Sequence, residues 1–146
     1  MHRSPSLIEI FIFLKPFLLI NDIIEGIWQF MISKKVIVVD DEKDLCNLIK
    51  RYLVDLSPEY EVHVAYTLSD GLQLIEKIRP AVLFIDNNLP DGLGCEQLDY
   101  IHALVPDCKI NLISASQFLP EEILQRSYGV TLIEKPLRLT YLKNYL

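Results

Sequence analysis

Three carboxylates, a hydroxyl and an ammonium stand directly after, or at the end of, separate apolar runs of the sequence. They belong to Asp40, Asp41, Asp86, Ser114 and Lys135. Carboxylates that lie close together repel one another and cannot all stay ionised unaided. A hard divalent cation relieves this repulsion, and Mg²⁺ suits a site with few carboxylates, some retained waters and a phosphate ligand. If these side chains meet, the sequence predicts a magnesium site beside groups that bind anions.

Such a site could accept a phosphoryl group. One carboxylate can attack phosphorus and form an aspartyl phosphate. The metal neutralises the phosphoryl oxygens, and an ammonium and a hydroxyl can hold the remaining ones. Spacing along the chain does not prove that the groups meet, so the elements that carry them must decide it.

Those elements alternate between strands and helices. Continuous apolar runs predict buried strands over Val36–Val39 and Ala81–Ile85. Further strands are predicted over Tyr60–Ala65, Lys109–Ser114 and Val130–Glu134, and helices over Glu42–Leu56, from Ser69 as N-cap to Ile78, over Cys95–Val105, from Pro120, and over Leu137–Leu146. In the first helix, the predicted apolar stripe consists of Leu45, Leu48, Ile49, Tyr52, Leu53 and Leu56.

Five strands alternating with five helices predict an α/β fold, with a parallel sheet covered by helices on both faces. Sheets of this kind bind ligands beyond the carboxyl ends of their strands. The acidic residues, the serine and the lysine all stand at that edge. The fold rule, and not the spacing alone, therefore predicts that they meet.

Four short motifs resemble the receiver domain of two-component response regulators. They are Val38-Val39-Asp40-Asp41-Glu42, the run DNNLPDG from Asp86 to Gly92, Ser114-Ala115 and Lys135-Pro136. Each motif is weak alone, but all four occur in order and at the ends of the right strands. The resemblance covers residues 34–146 and implies a flavodoxin-like, doubly wound sheet of five parallel strands in the order 2-1-3-4-5.

The resemblance also implies a role for each matching residue. Asp86 would be the phosphoacceptor. Asp41 would bind Mg²⁺ directly, with Asp40 acting partly through water and the backbone carbonyl of Asn88 as another ligand. Asp86 itself would complete the metal set.

The phosphoryl group would be held by two further residues. Ser114 would hydrogen-bond it after a small shift and Lys135 would pair with it, with the Lys135–Pro136 bond expected to be cis. The sequence departs from the family at Leu132, because receivers usually carry an aromatic residue three positions before the lysine.

The resemblance implies partners as well. A sensor histidine kinase or a His-phosphotransfer protein would supply the phosphoryl group, and a downstream protein would bind the altered surface. The protein would catalyse only its own phosphorylation and dephosphorylation. The short last helix, ending at Leu146, is typical of stand-alone receivers, although a chain cut from a longer regulator would look the same.

Composition narrows the classes of function. The 146 residues suit one domain, and 14 Lys and Arg against 20 Asp and Glu give a net charge of −6. Nucleic-acid binding needs a basic face, so it is not expected. The three cysteines, Cys46, Cys95 and Cys108, form no metal-binding pattern and predict buried thiols in a reducing compartment, the cytoplasm.

Residues 1–32 differ from the rest of the chain. Their apolar bursts are broken by Lys15 and Pro16 and then by Asp22 and Glu25, which does not favour a membrane span. An accessory amphipathic segment is one interpretation. The other, which we favour, is an upstream extension of the reading frame, with Met31 as the true start and the receiver-like domain over 33–146.

Plainer interpretations remain open for several residues. Asp40, Asp41 and Glu42 could be an acidic helix N-terminus, and Asp91-Gly92 is expected to form a turn without a catalytic role. His63 and His102 are expected to be structural or solvated, and Tyr100 and Tyr128 to pack.

Two other functions are also open. One is an Mg²⁺-dependent phosphohydrolase that forms an aspartyl phosphate, although the acidic pattern and the absence of room for a capping insertion do not favour it. The other is a receiver-like interaction module that takes no phosphate.

Overall fold

A computed structural model describes residues 20–27, 33–115, 121–124 and 128–146 of the chain. The chain divides into two compact units, Met1–Ser33 and Lys34–Leu146. In the first unit, residues 20–27 form a helix. None of the helices in the described ranges combines the length and hydropathy needed to cross a bilayer. Met31 and Pro120 lie outside the described residues, so the predictions that involve them stay predictions.

The second unit is built on five parallel strands. They are β1 (Lys34–Val39), β2 (Tyr60–Ala65), β3 (Val82–Asp86), β4 (Lys109–Ser114) and β5 (Thr131–Glu134). Their order in the sheet is β2-β1-β3-β4-β5, and each neighbouring pair is parallel. The predicted fold class and strand order are therefore confirmed. A short antiparallel hairpin, Asn88–Leu89 with Gly92–Leu93, follows β3.

Helices cover both faces of the sheet. They are α1 (Lys43–Leu56), α2 (Leu68–Ile78), α3 (Leu98–Leu104), α4 (Glu121–Leu124) and a 3₁₀ helix, Leu139–Tyr145, where the sequence predicted the last α-helix. A 3₁₀ turn, Gly94–Gln97, leads into α3, so the predicted helix over Cys95–Val105 begins with a tighter winding than expected.

The central strands are continuous apolar runs in the sequence because they are buried on both faces. Every residue of β3 is buried. Successive side chains point to opposite faces, so Ile37 and Ile85 join the core under α2 and α3, whereas Val38 and Phe84 join the core under α1. Burying a large apolar side chain of this kind contributes about 1.5–3 kcal/mol relative to leaving it exposed. These two cores hold the carboxyl ends of the strands in register.

The buried face of α1 differs from the predicted stripe. The helix buries Cys46, Ile49 and Leu53, while Leu48 is 50% exposed and Leu56 is 43% exposed. Leu48 lies two residues from Cys46, about 200° around a helix of 3.6 residues per turn, and so faces away from the sheet. Leu56 is the last residue of α1. The prediction was wrong for these two leucines.

The N-cap of α2 is Thr67 and not Ser69, which corrects another prediction. Thr67 has an extended backbone, and its side chain accepts a hydrogen bond from the Asp70 N–H at 3.1 Å. At the other end, Arg79 adopts a left-handed conformation, with φ of 52°, directly before Pro80. A left-handed residue directly after the last turn is a common way for a helix to end, and the helix ends at Ile78 as predicted.

Candidate functional site

The carboxyl edge of the sheet gathers the five side chains that the sequence singled out. Asp40 and Asp41 follow β1, Asp86 is the last residue of β3, Ser114 is the last residue of β4, and Lys135 follows β5. Because β1, β3, β4 and β5 are neighbours in the sheet, their ends lie side by side. The topology thus brings together residues from four separate segments.

Three acids form the centre of this edge. Asp40, Asp41 and Asp86 each offer an oxygen, and these oxygens all lie within 4.8 Å of one another. Asp40 is fully buried and Asp86 is 4% exposed, whereas Asp41 is exposed. Two of the three carboxylates are therefore shielded from water. Repulsion between carboxylates is stronger in such a buried setting than in water.

The Lys135 ammonium lies against this acidic cluster. Its Nζ is 3.1 Å from Asp40 Oδ2 and 3.2 Å from Asp86 Oδ1. It also donates a hydrogen bond to Glu42 Oε1 at 2.8 Å. The Lys135–Pro136 peptide bond is cis, as expected. The lysine thus acts as an internal counter-ion for the two buried carboxylates.

The protonation equilibria follow from burial and this pairing. Burial raises the pKa of Asp86 above its usual value, and the Lys135 ammonium opposes that rise only in part. For Lys135, burial alone would lower the pKa, but the contacts with Glu42 and Asp40 outweigh it and the pKa is raised. The lysine is therefore charged at neutral pH, and ionising Asp86 is costly unless more positive charge is supplied.

The donor set fits a hard cation. Asp40 Oδ1 accepts a hydrogen bond from the Glu42 N–H at 2.9 Å. Asp40 Oδ2 is buried and, apart from its ion-pair contact with Lys135, accepts no hydrogen bond of good geometry from the described residues. A buried carboxylate oxygen of this kind has capacity for another partner. Oxygen ligands favour Mg²⁺ or Ca²⁺ over softer metals.

Asn88 lies next to the phosphoacceptor position predicted from the sequence. Its backbone N–H donates a hydrogen bond to Asp86 Oδ2 at 3.0 Å. Buried Asn87 holds this stretch to the sheet, because its N–H donates to the Ile113 carbonyl at 2.8 Å and its Oδ1 accepts from the Cys95 N–H at 3.2 Å. The start of the hairpin is thereby fixed beside Asp86.

Ser114 and Lys135 are joined through the backbone. Ser114 is fully buried at the end of β4, and its carbonyl accepts a hydrogen bond from the Lys135 N–H at 2.9 Å. Leu132, the departure from the family pattern, pairs in register with Leu112 and packs partly buried against the core. The leucine side chain has no polar atom and cannot form a hydrogen bond with the groups of the site.

Two residues near the site have contacts that sequence reasoning missed. Glu42 was considered only as an acid at a helix N-terminus, but it pairs with Lys135 across the site. Asp91 was predicted to form only a turn, but its carboxylate also binds backbone N–H groups of α2. Glu42 could have been found from its place in the acidic motif, whereas no local signal indicates the partner of Asp91.

The remaining predictions have mixed outcomes. His63 contacts Glu61, and His102 stacks on Tyr128 with ring centroids 4.0 Å apart, which agrees with structural roles. Tyr128 packs against the core as predicted, whereas Tyr100 is exposed and that prediction was wrong.

The three cysteines are buried and form no disulfide, as expected. Burial raises the pKa of the thiols of Cys46 and Cys108 to about 12.

A doubly wound sheet with three carboxylates and a lysine at its carboxyl edge defines the class of receiver-like α/β domains. The model of the response regulator receiver domain family matches residues 36–146. The chain therefore belongs to the response regulator receiver domain family.

Solved structures agree with this assignment. A receiver domain protein from Methanospirillum hungatei JF-1 is 28% identical, with a TM-score of 0.69 over 77% of this chain and 89% of that one. A receiver domain from Methylobacillus flagellatus, 21% identical, superposes with a TM-score of 0.67 over 77% of this chain and 94% of that one, and supports the fold alone.

Curated relatives match shorter stretches. The methanogenesis regulatory protein FilR1 of Methanothrix harundinacea is 38% identical over 63 residues, 42% of this chain and 14% of the relative. The transcriptional regulatory protein DpiA of Escherichia coli K12 is 29% identical over 70 residues, 48% of this chain and 30% of the relative. The chain thus matches less than a third of the length of either relative.

Proposed function

We propose that this protein is a phosphorylation switch in which Asp86 accepts a phosphoryl group from a sensor histidine kinase or a His-phosphotransfer protein. The observation that carries the proposal is the cluster of Asp40, Asp41 and Asp86, whose oxygens lie within 4.8 Å of one another with Lys135 against two of them. A cation and a phosphoryl group are what such a cluster is suited to hold.

The metal would be Mg²⁺, held by Asp40, Asp41, Asp86 and the backbone carbonyl of Asn88. When bound, it would neutralise negative charge on the carboxylates and on the incoming phosphoryl oxygens. The buried Oδ2 of Asp40, which contacts Lys135 but has capacity for a further partner, supports this assignment. So does the raised pKa of Asp86, because its ionised form needs more positive charge nearby than Lys135 supplies.

In the transfer step, an oxygen of Asp86 forms a bond to phosphorus while the phosphorus–nitrogen bond of a phosphohistidine breaks. The leaving imidazole nitrogen keeps the bonding pair and takes up a proton. Lys135 would hold one phosphoryl oxygen, since its ammonium is already 3.2 Å from Asp86 Oδ1. Ser114 would hydrogen-bond another oxygen after a small shift.

The phosphoryl group adds about −1.5 to −2 charge and strong acceptor oxygens. Drawing Ser114 and Lys135 toward these oxygens would move the ends of β4 and β5. A downstream protein that binds this side of the domain would read the change. The reaction would take place in the cytoplasm, where histidine kinases present their phosphohistidines, and buried thiols without disulfides are compatible with that compartment.

The test is phosphorylation by phosphoramidate with Mg²⁺, followed by intact-mass spectrometry. Wild type should gain one phosphoryl group. Asp86→Asn should gain none, and Asp41→Asn should react much more slowly because a metal ligand is lost. Asp44→Asn is the matched control, since Asp44 is an exposed acid in the first turn of α1, and it should react like wild type.

The outcomes of this test distinguish a phosphorylation switch from the two alternative functions. Labelling of Asp86→Asn to the wild-type extent would contradict the assignment. Failure of wild type to react with phosphoramidate or with a phosphohistidine protein would favour an interaction module that takes no phosphate. Rapid release of phosphate from an external ester would favour a phosphohydrolase.

A further inference from the structure

The Asp91 carboxylate joins two parts of the domain that are distant in sequence. Its Oδ1 accepts a hydrogen bond from the Leu68 N–H at 2.7 Å, and its Oδ2 accepts one from the Ser69 N–H at 2.9 Å. These hydrogen bonds lower the pKa of Asp91, so the group is ionised at neutral pH. Hydrogen bonds to an ionised acceptor are stronger than neutral ones.

Asp91 supplements the cap of α2 without replacing it. The first N–H groups of a helix have no partner within the helix. In α2, Thr67 accepts the hydrogen bond of the Asp70 N–H, and Asp91 accepts those of Leu68 and Ser69. One helix end therefore has a local cap, Thr67, and a remote one, Asp91, and these can be removed separately.

The remote cap belongs to the hairpin beside the phosphoacceptor. Asp91 lies in the turn between Asn88–Leu89 and Gly92–Leu93, and Asn88 pairs with Leu93. At the near end of the same hairpin, the Asn88 N–H donates to Asp86 Oδ2 at 3.0 Å. The hairpin is thus held at Asp86 by its first residue and at α2 by its turn.

Packing reinforces the attachment of the turn to α2. A Cβ atom added at Gly92 would lie 2.9 Å from Leu68 Cδ2, and Gly92 has a φ of 156° that side chains rarely adopt. Leu89 and Leu68 are both buried in the same hydrophobic cluster. The turn therefore sits directly on the first residue of the helix.

We propose that Asp91 is a positioning residue for the phosphorylation site. By tying the hairpin turn to the start of α2, it holds Asn88 where its N–H binds Asp86 and its carbonyl can join the three acids around Mg²⁺. The part of this inference that concerns Mg²⁺ binding rests on the proposed function. Asp91 itself touches neither the acidic cluster nor the phosphoryl group.

The experiment compares Asp91→Ala with Thr67→Ala. Both variants remove a cap from the same end of α2, and both should lower the midpoint of denaturation. Only Asp91→Ala removes the hydrogen bonds that tie the hairpin turn to α2. Titration calorimetry should show Mg²⁺ affinity reduced roughly tenfold in Asp91→Ala, the lower end of the range for residues that orient metal ligands, and about unchanged in Thr67→Ala. Asp91→Asn, which keeps one acceptor oxygen, should be intermediate.

A second readout needs no metal. Amide hydrogen exchange of Asn88 reports local opening of the hairpin, and it should be faster in Asp91→Ala than in Thr67→Ala when both are compared with wild type. Equal exchange in the two variants, or equal Mg²⁺ affinity in both where wild type binds Mg²⁺, would overturn the positioning role. If wild type binds no Mg²⁺, the proposed metal site fails, and the exchange measurement alone decides whether Asp91 positions Asn88.

Discussion

Lys135 is the position where the electrostatics of this site can be tested most directly. Its ammonium contacts Asp40, Asp86 and Glu42 at 2.8–3.2 Å. The substitution Lys135→Met keeps a long apolar stem and removes the charge. Asp40 and Asp86 would then face each other in a buried setting without their counter-ion. We therefore expect the metal-free protein to be strongly destabilised.

The magnitude follows from the burial of the partners. Breaking a buried ion pair by removing one member costs about 3–5 kcal/mol, because the other member stays buried and uncompensated. The Lys135 side chain is 19% exposed, and Asp86 can relieve part of the penalty by taking up a proton. We therefore expect the lower end, a loss of about 3 kcal/mol in the free energy of unfolding at neutral pH.

Protonation of Asp86 gives this penalty a pH dependence. The pKa of Asp86 in the folded protein lies above its unfolded value, so ionisation of this group opposes folding as the pH rises through that range. Without the lysine, the folded pKa should rise further. The stability difference between wild type and Lys135→Met should therefore be largest at neutral pH and should shrink as the pH falls.

Urea denaturation, with and without Mg²⁺, is the assay. Mg²⁺ at the proposed site would replace the missing positive charge, so it should stabilise Lys135→Met more than wild type by mass action. Asp86→Asn should recover stability in the Lys135→Met background, because it removes a carboxylate that the missing lysine leaves uncompensated. The effects of the two substitutions on stability should therefore not be additive. Lys77→Met, at an exposed position of α2, is the control and should change stability little. A metal-free Lys135→Met protein as stable as wild type would refute this reasoning.

Three further predictions follow from the site and its surroundings. Asp41→Asn should change metal-free stability little, because Asp41 is exposed, but it should lose most of the stabilisation by Mg²⁺ in urea melts; equal stabilisation would contradict a ligand role. The pKa of Asp91 is lowered in the folded state. The ionised carboxylate therefore stabilises the fold above the pKa of the unfolded state, and this stabilisation is lost as the pH falls through the pKa of the folded state. In thermal melts, Asp91→Asn should approach the stability of wild type only in acid. Burial and a pKa of about 12 should protect Cys46 and Cys108 from iodoacetamide at pH 8, and mass spectrometry should detect alkylation of both only after urea is added.

The strands and the acidic centre could be predicted because the signals for them are local. Each central strand is buried on both faces, so its apolar run is unbroken and its end is marked by the first polar residue. In β1 and β3 those residues are Asp40 and Asp86, and the topology of parallel sheets brings them to one edge. The signal is weaker for the lysine, because β5 is only partly buried and ends in Glu134, one residue before Lys135. Strand bounds and site residues therefore depend on the same signal.

The start of α2 could not be predicted, because its partner is distant. Thr67 and Ser69 both carry hydroxyls suited to an N-cap, and nothing in the local sequence separates them. Asp91 binds the N–H groups of Leu68 and Ser69 from more than 20 residues away. When the groups that cap a helix belong to another loop, the position of that loop decides where the helix begins. The exposed Leu48 and Leu56 of α1 show the same limit, since helical spacing does not indicate which side the sheet will cover.

Asp91 also bears on how α2 and the site influence each other. The helix packs on the face of the sheet that contains Ile37 and Ile85, and its first turn contacts the hairpin that follows Asp86. If the hairpin moves when Asp86 is phosphorylated, two hydrogen bonds to the helix must stretch or move with it. Under the proposed function, the two hydrogen bonds of Asp91 would connect the site to α2 by a route that does not pass through Leu132.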